Sequence, residues 1–143
     1  MLNAVLGNVV APFVTQKSLK VLLVEEDPAA QMIIKKKIGK WTEQVDMANT
    51  ATEGLRMLKF FDYDVVLVNL NMPVMNGFEF TQQLRILEKR RGKNIDVIGL
   101  TALSHPMMSL LSTFSGVNEY IVKSVDYREL EDKLINKYFL HQN

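Results

Sequence analysis

Residues 64–77 read DVVLVNLNMPVMNG. The first half holds four consecutive apolar residues, Val65 to Val68, and stops at Asn69. A short apolar run bounded by polar residues predicts a strand buried on both faces. The second half predicts a loop, because Pro73 and Asn76-Gly77 are strong turn signals. A helix is expected after it, to about Arg91, with Phe80, Leu84 and Leu87 at helical spacing.

The same alternation extends in both directions. Upstream, Leu19–Val24 (LKVLLV) is another short apolar run, ending in Glu25-Glu26-Asp27-Pro28. Asp27 before Pro28 predicts a helix start, an N-cap carboxylate followed by proline at the first helical position. That helix is expected to run to about Lys40, with Ile34 and Ile38 on one face. Gln44–Ala48 predicts a weaker strand. Thr50 and Glu53 have capping-box spacing and open a helix to about Phe60. Downstream, Asp96–Leu100 predicts a fourth strand ending at Thr101, followed by a methionine- and leucine-rich helix over 105–114. Glu119–Val122 predicts a fifth strand ending at Lys123. The last helix carries Leu130, Leu134 and Tyr138 on one side. Five strand–helix units predict an α/β doubly wound parallel sheet with right-handed crossovers.

Composition narrows the function classes. The chain has 143 residues, the length of one domain, with 48% hydrophobic and 23% charged residues and a net charge of +1. That balance argues against disorder and against phosphate-neutralising nucleic-acid binding. The absence of cysteine excludes disulfides, zinc–thiolate sites, iron–sulfur clusters and cysteine nucleophiles. His105 and His141 are too far apart in sequence for a His-x-x-x-His metal pair. There is no Gly-x-Gly-x-x-Gly after the first strand and no Walker lysine motif. Residues 1–14 are apolar-rich but have no positive charge before Lys17, and they are too short to span a bilayer. No membrane partner and a cytoplasmic location are therefore expected.

In an open α/β sheet the site lies beyond the carboxyl ends of the strands. Those ends supply Glu25, Glu26, Asn69, Thr101 and Lys123: two carboxylates, an amide, a hydroxyl and an ammonium expected on one rim. Polar residues occur at any strand end, because strands must emerge into water. Five of these types together are harder to dismiss. Asp62 and Asp64 precede the third strand and sit at the wrong end. Lys35–Lys37 and Lys89–Arg91 read as solvated helix faces and ends.

The chain resembles a response-regulator receiver domain of two-component signalling. The resemblance rests on VLLVEEDP, VVLVNLNMPVMNG, VIGLTA and the spaced Tyr120 and Lys123 of EYIVKS, in that order. It implies the flavodoxin-like (βα)5 fold with strand order 2-1-3-4-5, over residues 19–139, with an N-terminal extension over 1–18 and a tail over 140–143. That strand order comes from the resemblance and not from the residues themselves.

The resemblance also implies roles. Asn69 stands at the phosphoacceptor position, which in receivers is an aspartate. Glu25 and Glu26 form the acidic pocket. Magnesium would be held by Glu26 and the Asn71 carbonyl. Thr101 and Lys123 are the phosphoryl-contact positions, and Tyr120 is the switch aromatic. Receivers use the face of the fourth helix (105–114), the fifth strand and the last helix for protein partners.

Three departures matter. Asn69 is neutral and cannot serve as the anionic nucleophile of acyl phosphate formation. Glu26, where the family most often has aspartate, shifts metal-facing oxygens by about 1.5 Å, and magnesium demands near-ideal octahedral geometry. Ser124 replaces the proline that usually follows the lysine, so Lys123–Ser124 is expected to be trans. Magnesium binding is accordingly expected to be weak or absent. The leading reading is a non-enzymatic pseudo-receiver with no cofactor, acting by protein–protein contacts, with Lys123 available to pair with a glutamate. The alternative is an active, magnesium-dependent phosphoacceptor in which Asn69 stands in place of a native aspartate. The receiver-like stretch consumes the chain, so a stand-alone regulator or a fragment of a longer protein is expected.

Two apolar features remain. Met107, Met108, Leu110, Leu111 and Phe114 read either as core or as an adaptable partner patch. Leu2, Val5, Leu6, Val9, Val10 and Phe13 fall on one helical stripe. A helix this short is marginal alone, so its stripe is expected to pack on a receiver surface, its own or a second subunit's, the latter making a homodimer through residues 1–14.

Overall fold

A computed structural model describes residues 19–103, 107, 116–124 and 127–138. The apolar runs form strands because each is flanked by other strands or covered by helices. The strands are β1 (Lys20–Val24), β2 (Gln44–Ala48), β3 (Val65–Asn69), β4 (Asp96–Thr101) and β5 (Glu119–Val122). All neighbours pair in parallel, in the order β2-β1-β3-β4-β5. This is the flavodoxin-like order that the resemblance implied.

The period-two alternation of each strand sorts its side chains to opposite faces. Val21, Leu23, Val65 and Leu67 face one layer, with α1 (Pro28–Ile38) and α4 (Arg128–Tyr138) over it. Leu22, Val24, Val66 and Val68 face the other, with α2 (Ala51–Phe60) and α3 (Gly77–Arg91) over it. Ile34 and Ile38 of α1, Phe80 and Leu84 of α3, and Leu130 and Leu134 of α4 are buried as their spacing predicts. Full burial of one such side chain contributes about 1.5–3 kcal/mol.

The helix ends depart from expectation in instructive ways. Asp27 caps α1 by accepting from Ala29 N at 3.1 Å. The α-helix stops at Ile38, and Gly39–Trp41 tighten into a 3-10 turn instead of continuing to Lys40. Thr50 accepts from Glu53 N at 3.0 Å, but Glu53 bonds Asn49 N, one residue earlier than a capping box requires. The complete box lies at Asn76 and Glu79, inside what reads in the sequence as a turn. Gly92, at φ 66°, closes α3 in the left-handed conformation.

Leu70 explains two glycines. A Cβ on Gly77 would lie 2.7 Å from the Leu70 Cα, and one on Gly99 2.6 Å from Leu70 Cδ1. The loop after β3 is pressed against α3 and β4 at these points, fixing the rim that follows. The N-terminal stripe lies outside the described residues. So does the helix expected over 105–114, except for Met107.

Candidate functional site

Register brings the strand ends level. Val24 pairs with Val68, Asn69 with Leu100, and Thr101 with Val122. Thr101, with Glu25 and Lys123 just beyond these pairs, therefore surrounds Asn69 at one end of the sheet. Lys123 N donates to Thr101 O at 2.6 Å, which joins the last two ends.

Glu25 is the centre of the cluster. Its side chain is fully buried. Its Oε2 accepts from Asp27 N at 3.0 Å and from Asn69 Nδ2 at 3.1 Å. Its Oε1 has no hydrogen-bond partner, and Lys123 Nζ stands 3.7 Å away. That separation is an ion pair and not a hydrogen bond. Asn69, also buried, accepts from Asn71 N at 3.0 Å through Oδ1. Both ends of the carboxamide are thus used, with its donor turned to the carboxylate. Thr101 is buried, and its hydroxyl oxygen accepts from Leu103 N at 3.0 Å.

The structure brings together Glu25, Asn69, Thr101 and Lys123. Glu26 is exposed and lines a neighbouring cleft of about 310 Å³, formed with the start of α2 and the 72–75 loop. Of the two expected carboxylates, Glu25 turns inward and Glu26 stands exposed at that cleft. Asn71 is exposed, with its amide committed to Asn69. Val74, at the lip of the cleft, is fully exposed and holds φ 68°, a conformation unfavourable for a β-branched residue. Tyr120 is half-buried and packs against the α2–α3 side of the core.

Three features were not legible beforehand or needed the structure to settle them. Gln31 donates to the Glu25 carbonyl at 2.5 Å and to Asn49 Oδ1 at 2.7 Å, tying α1 and the end of β2 to the pocket. Its signal was its place one turn after the Asp27 cap, since helical side chains lean back toward the N-terminus. Tyr127 is buried with φ 53°. Burial pushes its phenol pKa up, and the charges of Glu25 and Asp27 push in the same direction. Lys123–Ser124 is trans, and residues 125–126 lie outside the described residues.

A magnesium ion, which receiver resemblance implies, requires an octahedral shell of oxygens. Here the acceptor position presents an N–H donor, Glu25 Oε2 is occupied twice, and an ammonium faces Oε1. Among the described residues no three acidic or histidine side chains gather into a metal-binding group. In this arrangement a donor and an ammonium stand where the ion would need oxygens.

The family described as the response regulator receiver domain matches residues 21–135. Among curated relatives, the autoinducer 2 sensor kinase/phosphatase LuxQ of Vibrio vulnificus is 32% identical over 84% of this chain and 14% of its own length. The two-component response regulator PhoP of Pseudomonas aeruginosa is 26% identical over 81% of this chain and 50% of its own length. The chain thus spans half or less of these relatives. The response regulator protein TrrA of Thermotoga maritima, solved in complex with Mg²⁺-BeF, superposes with a TM-score of 0.70 at 28% identity, over 82% of this chain and 97% of that one. In fold alone, the chain is also similar to a Saccharomyces cerevisiae co-crystal of the histidine phosphotransfer protein Ypd1 with the Ssk1 receiver domain. That likeness has a TM-score of 0.77 at 23% identity and covers 88% of this chain and 95% of that one. With the sheet order, the strand-end cluster and the match over 21–135 in agreement, this chain belongs to the response regulator receiver domain family.

Proposed function

We propose that the domain is a pseudo-receiver, a signalling module that acts through protein contacts and does not accept a phosphoryl group. The observation that supports this is the Asn69 carboxamide donating into the buried Glu25 carboxylate at 3.1 Å. A phosphoacceptor needs an anionic oxygen at this point. In its place are a neutral amide and a Glu25–Lys123 ion pair, so the pocket balances its own charge. On this reading the domain is no enzyme, needs no cofactor and holds magnesium weakly if at all.

Its partner is a protein, met on the face of residues 105–114, β5 and α4; of the first segment only Met107, half-exposed, is described. The reading also entails a cytoplasmic module with no nucleic-acid or membrane partner. Among the described residues no helix is long and apolar enough to cross a membrane. The homodimer expected through residues 1–14 lies outside the described residues.

The experiment is incubation with acetyl phosphate and Mg²⁺ followed by intact-mass measurement. No adduct is expected. A mass gain of one phosphoryl group that maps to the pocket overturns the reading. The rival reading, a magnesium-dependent phosphoacceptor with Asn69 in place of aspartate, is favoured by the retention of Thr101 and Lys123 beside position 69. The gene sequence at codon 69 separates the two.

A further inference from the structure

The end of the sheet opposite the pocket carries an uncovered apolar patch. Phe60 and Phe61, consecutive at the end of α2, are 73% and 56% exposed. Beneath Phe61 a narrow crevice between α2 and α3 is floored by Leu58, Leu84, Leu87 and Ile95. Two adjacent exposed phenylalanines beside an apolar crevice form a contiguous surface of the kind that marks a binding site.

The described chain begins beside this patch. Leu19 O accepts from Glu43 N and Gln44 N, Lys20 N donates to Asp64 Oδ2 at 2.9 Å, and Asp64 N donates to Lys20 O at 2.8 Å. The first described residues, Leu19 and Lys20, are therefore held between the start of β2 and Asp64. Phe61 is three residues from Asp64, at most about 10 Å of chain. Five residues separate Phe13 from Leu19, enough to span about 20 Å when extended. A stripe ending at Phe13 can reach Phe60 and Phe61 of its own molecule.

Charge selects the same surface. Residues 1–16 contain no charged side chain. Asp62, beside Phe61, is already neutralised by Arg91 at 2.8 Å and by Lys93. Glu88, also on the crevice wall, is paired with Arg85 at 2.8 Å, whereas a second exposed groove, between Met32 and Met47, is rimmed by Lys35 and Lys36, which an uncharged segment would have to desolvate.

We propose that residues 2–13 seat on the Phe60–Phe61 patch of the same chain. The stripe of Leu2, Val5, Leu6, Val9 and Val10 supplies the apolar groups that meet the phenylalanines. A tether this short gives an effective concentration in the millimolar range, which favours the molecule's own patch over a second copy's. The segment thereby caps the end of the core that the sheet leaves open.

Hydrogen exchange on the full chain tests this, with a 1–16 peptide as the free reference. Backbone amides in 5–11 are expected to exchange about tenfold more slowly, or slower still, in the full chain than in the peptide. The protection is expected to disappear in a Phe60→Ser/Phe61→Ser variant while the mass in solution stays that of the parent. Leu6→Asp is the complementary variant and leaves the described domain untouched. It should raise chymotrypsin cleavage after Phe60 and Phe61. Free-peptide exchange rates in the full chain overturn the proposal. So does protection that survives the phenylalanine substitutions, or cleavage unchanged by Leu6→Asp. Protection that rises with concentration alongside a doubled mass assigns the segment to a second copy and overturns it equally.

Discussion

Asn69 donates from Nδ2 to Glu25 Oε2 while its Oδ1 accepts from Asn71 N, so one carboxamide joins a buried carboxylate to the loop after β3. An aspartate at this position could keep only the second bond. The first would become a contact between two anions.

Asn69→Asp is therefore expected to be less stable than the parent without metal. A hydrogen bond to a charged group contributes about 1.5–3 kcal/mol, and like-charge repulsion adds to its loss. The melting temperature should fall by several degrees in chelator and recover at least partly when Mg²⁺ is added. A metal-free melt in which the aspartate variant is the more stable form would contradict the geometry of the pocket.

Lys123 neutralises Glu25, whose side chain is fully buried. Removing one partner of a buried pair typically costs about 3–5 kcal/mol; the partial exposure of Lys123 places Lys123→Met toward or below the lower end. Glu25→Gln combined with Lys123→Met should cost less than the sum of the two single changes. A double-mutant cycle by urea denaturation reads the coupling, and additive losses would show that the two charges do not interact.

Acid stability is expected to depend on carboxylates held by lysines. Burial would raise the Glu119 carboxyl, but Lys137 and Lys133 outweigh it and hold the group below the usual range. Glu131 is held low chiefly by the Trp41 indole N–H, with Lys40 and Lys37 adding to it. Depressed folded values mean that the stabilisation is present above the ordinary glutamate value, about 4.3, and is lost as pH falls through the folded values. Glu119→Gln should flatten the acid limb of a stability–pH curve. An unchanged limb would remove the pair from the account.

At the alkaline end the direction reverses. Burial, then the hydrogen bond to Asp46, raises the Tyr63 phenol, and burial with Asp96 raises that of Tyr138. Unfolded tyrosines ionise near pH 10, so stability should fall above about that pH as the unfolded chain releases protons the folded one retains. Absorbance at tyrosinate wavelengths should show these two phenols ionising only with unfolding.

Tyr120 should not respond to a phosphodonor. Acetyl phosphate or beryllofluoride with Mg²⁺ is expected to leave its NMR resonances in place, because Asn69 offers no anionic acceptor. A donor-dependent shift would count against the pseudo-receiver.

Most of the fold was readable because buried parallel strands announce themselves as apolar runs, and Asp27-Pro28 marked one helix start. The pocket was readable only as a set of strand ends. Which carboxylate turns inward depends on how the strand exits, so the sequence did not show that Glu25 is buried and Glu26 exposed. Gln31 and Tyr127 were missed because their contacts cross between elements. The Asn76–Glu79 box was hidden by the turn signal of Asn76-Gly77, which serves the cap as well as the loop.

Trp41 is the sole tryptophan of the chain, and its indole N–H donates to Glu131 of α4 at 2.7 Å with the Lys40 ammonium 5.7 Å from the ring centre. Emission from a single fluorophore pinned to a carboxylate reports on the surroundings of that one bond. Any ligand or variant that lifts α4 from the end of α1 will register as a spectral shift, so the protein carries an intrinsic optical gauge for the helix placed on its proposed partner face.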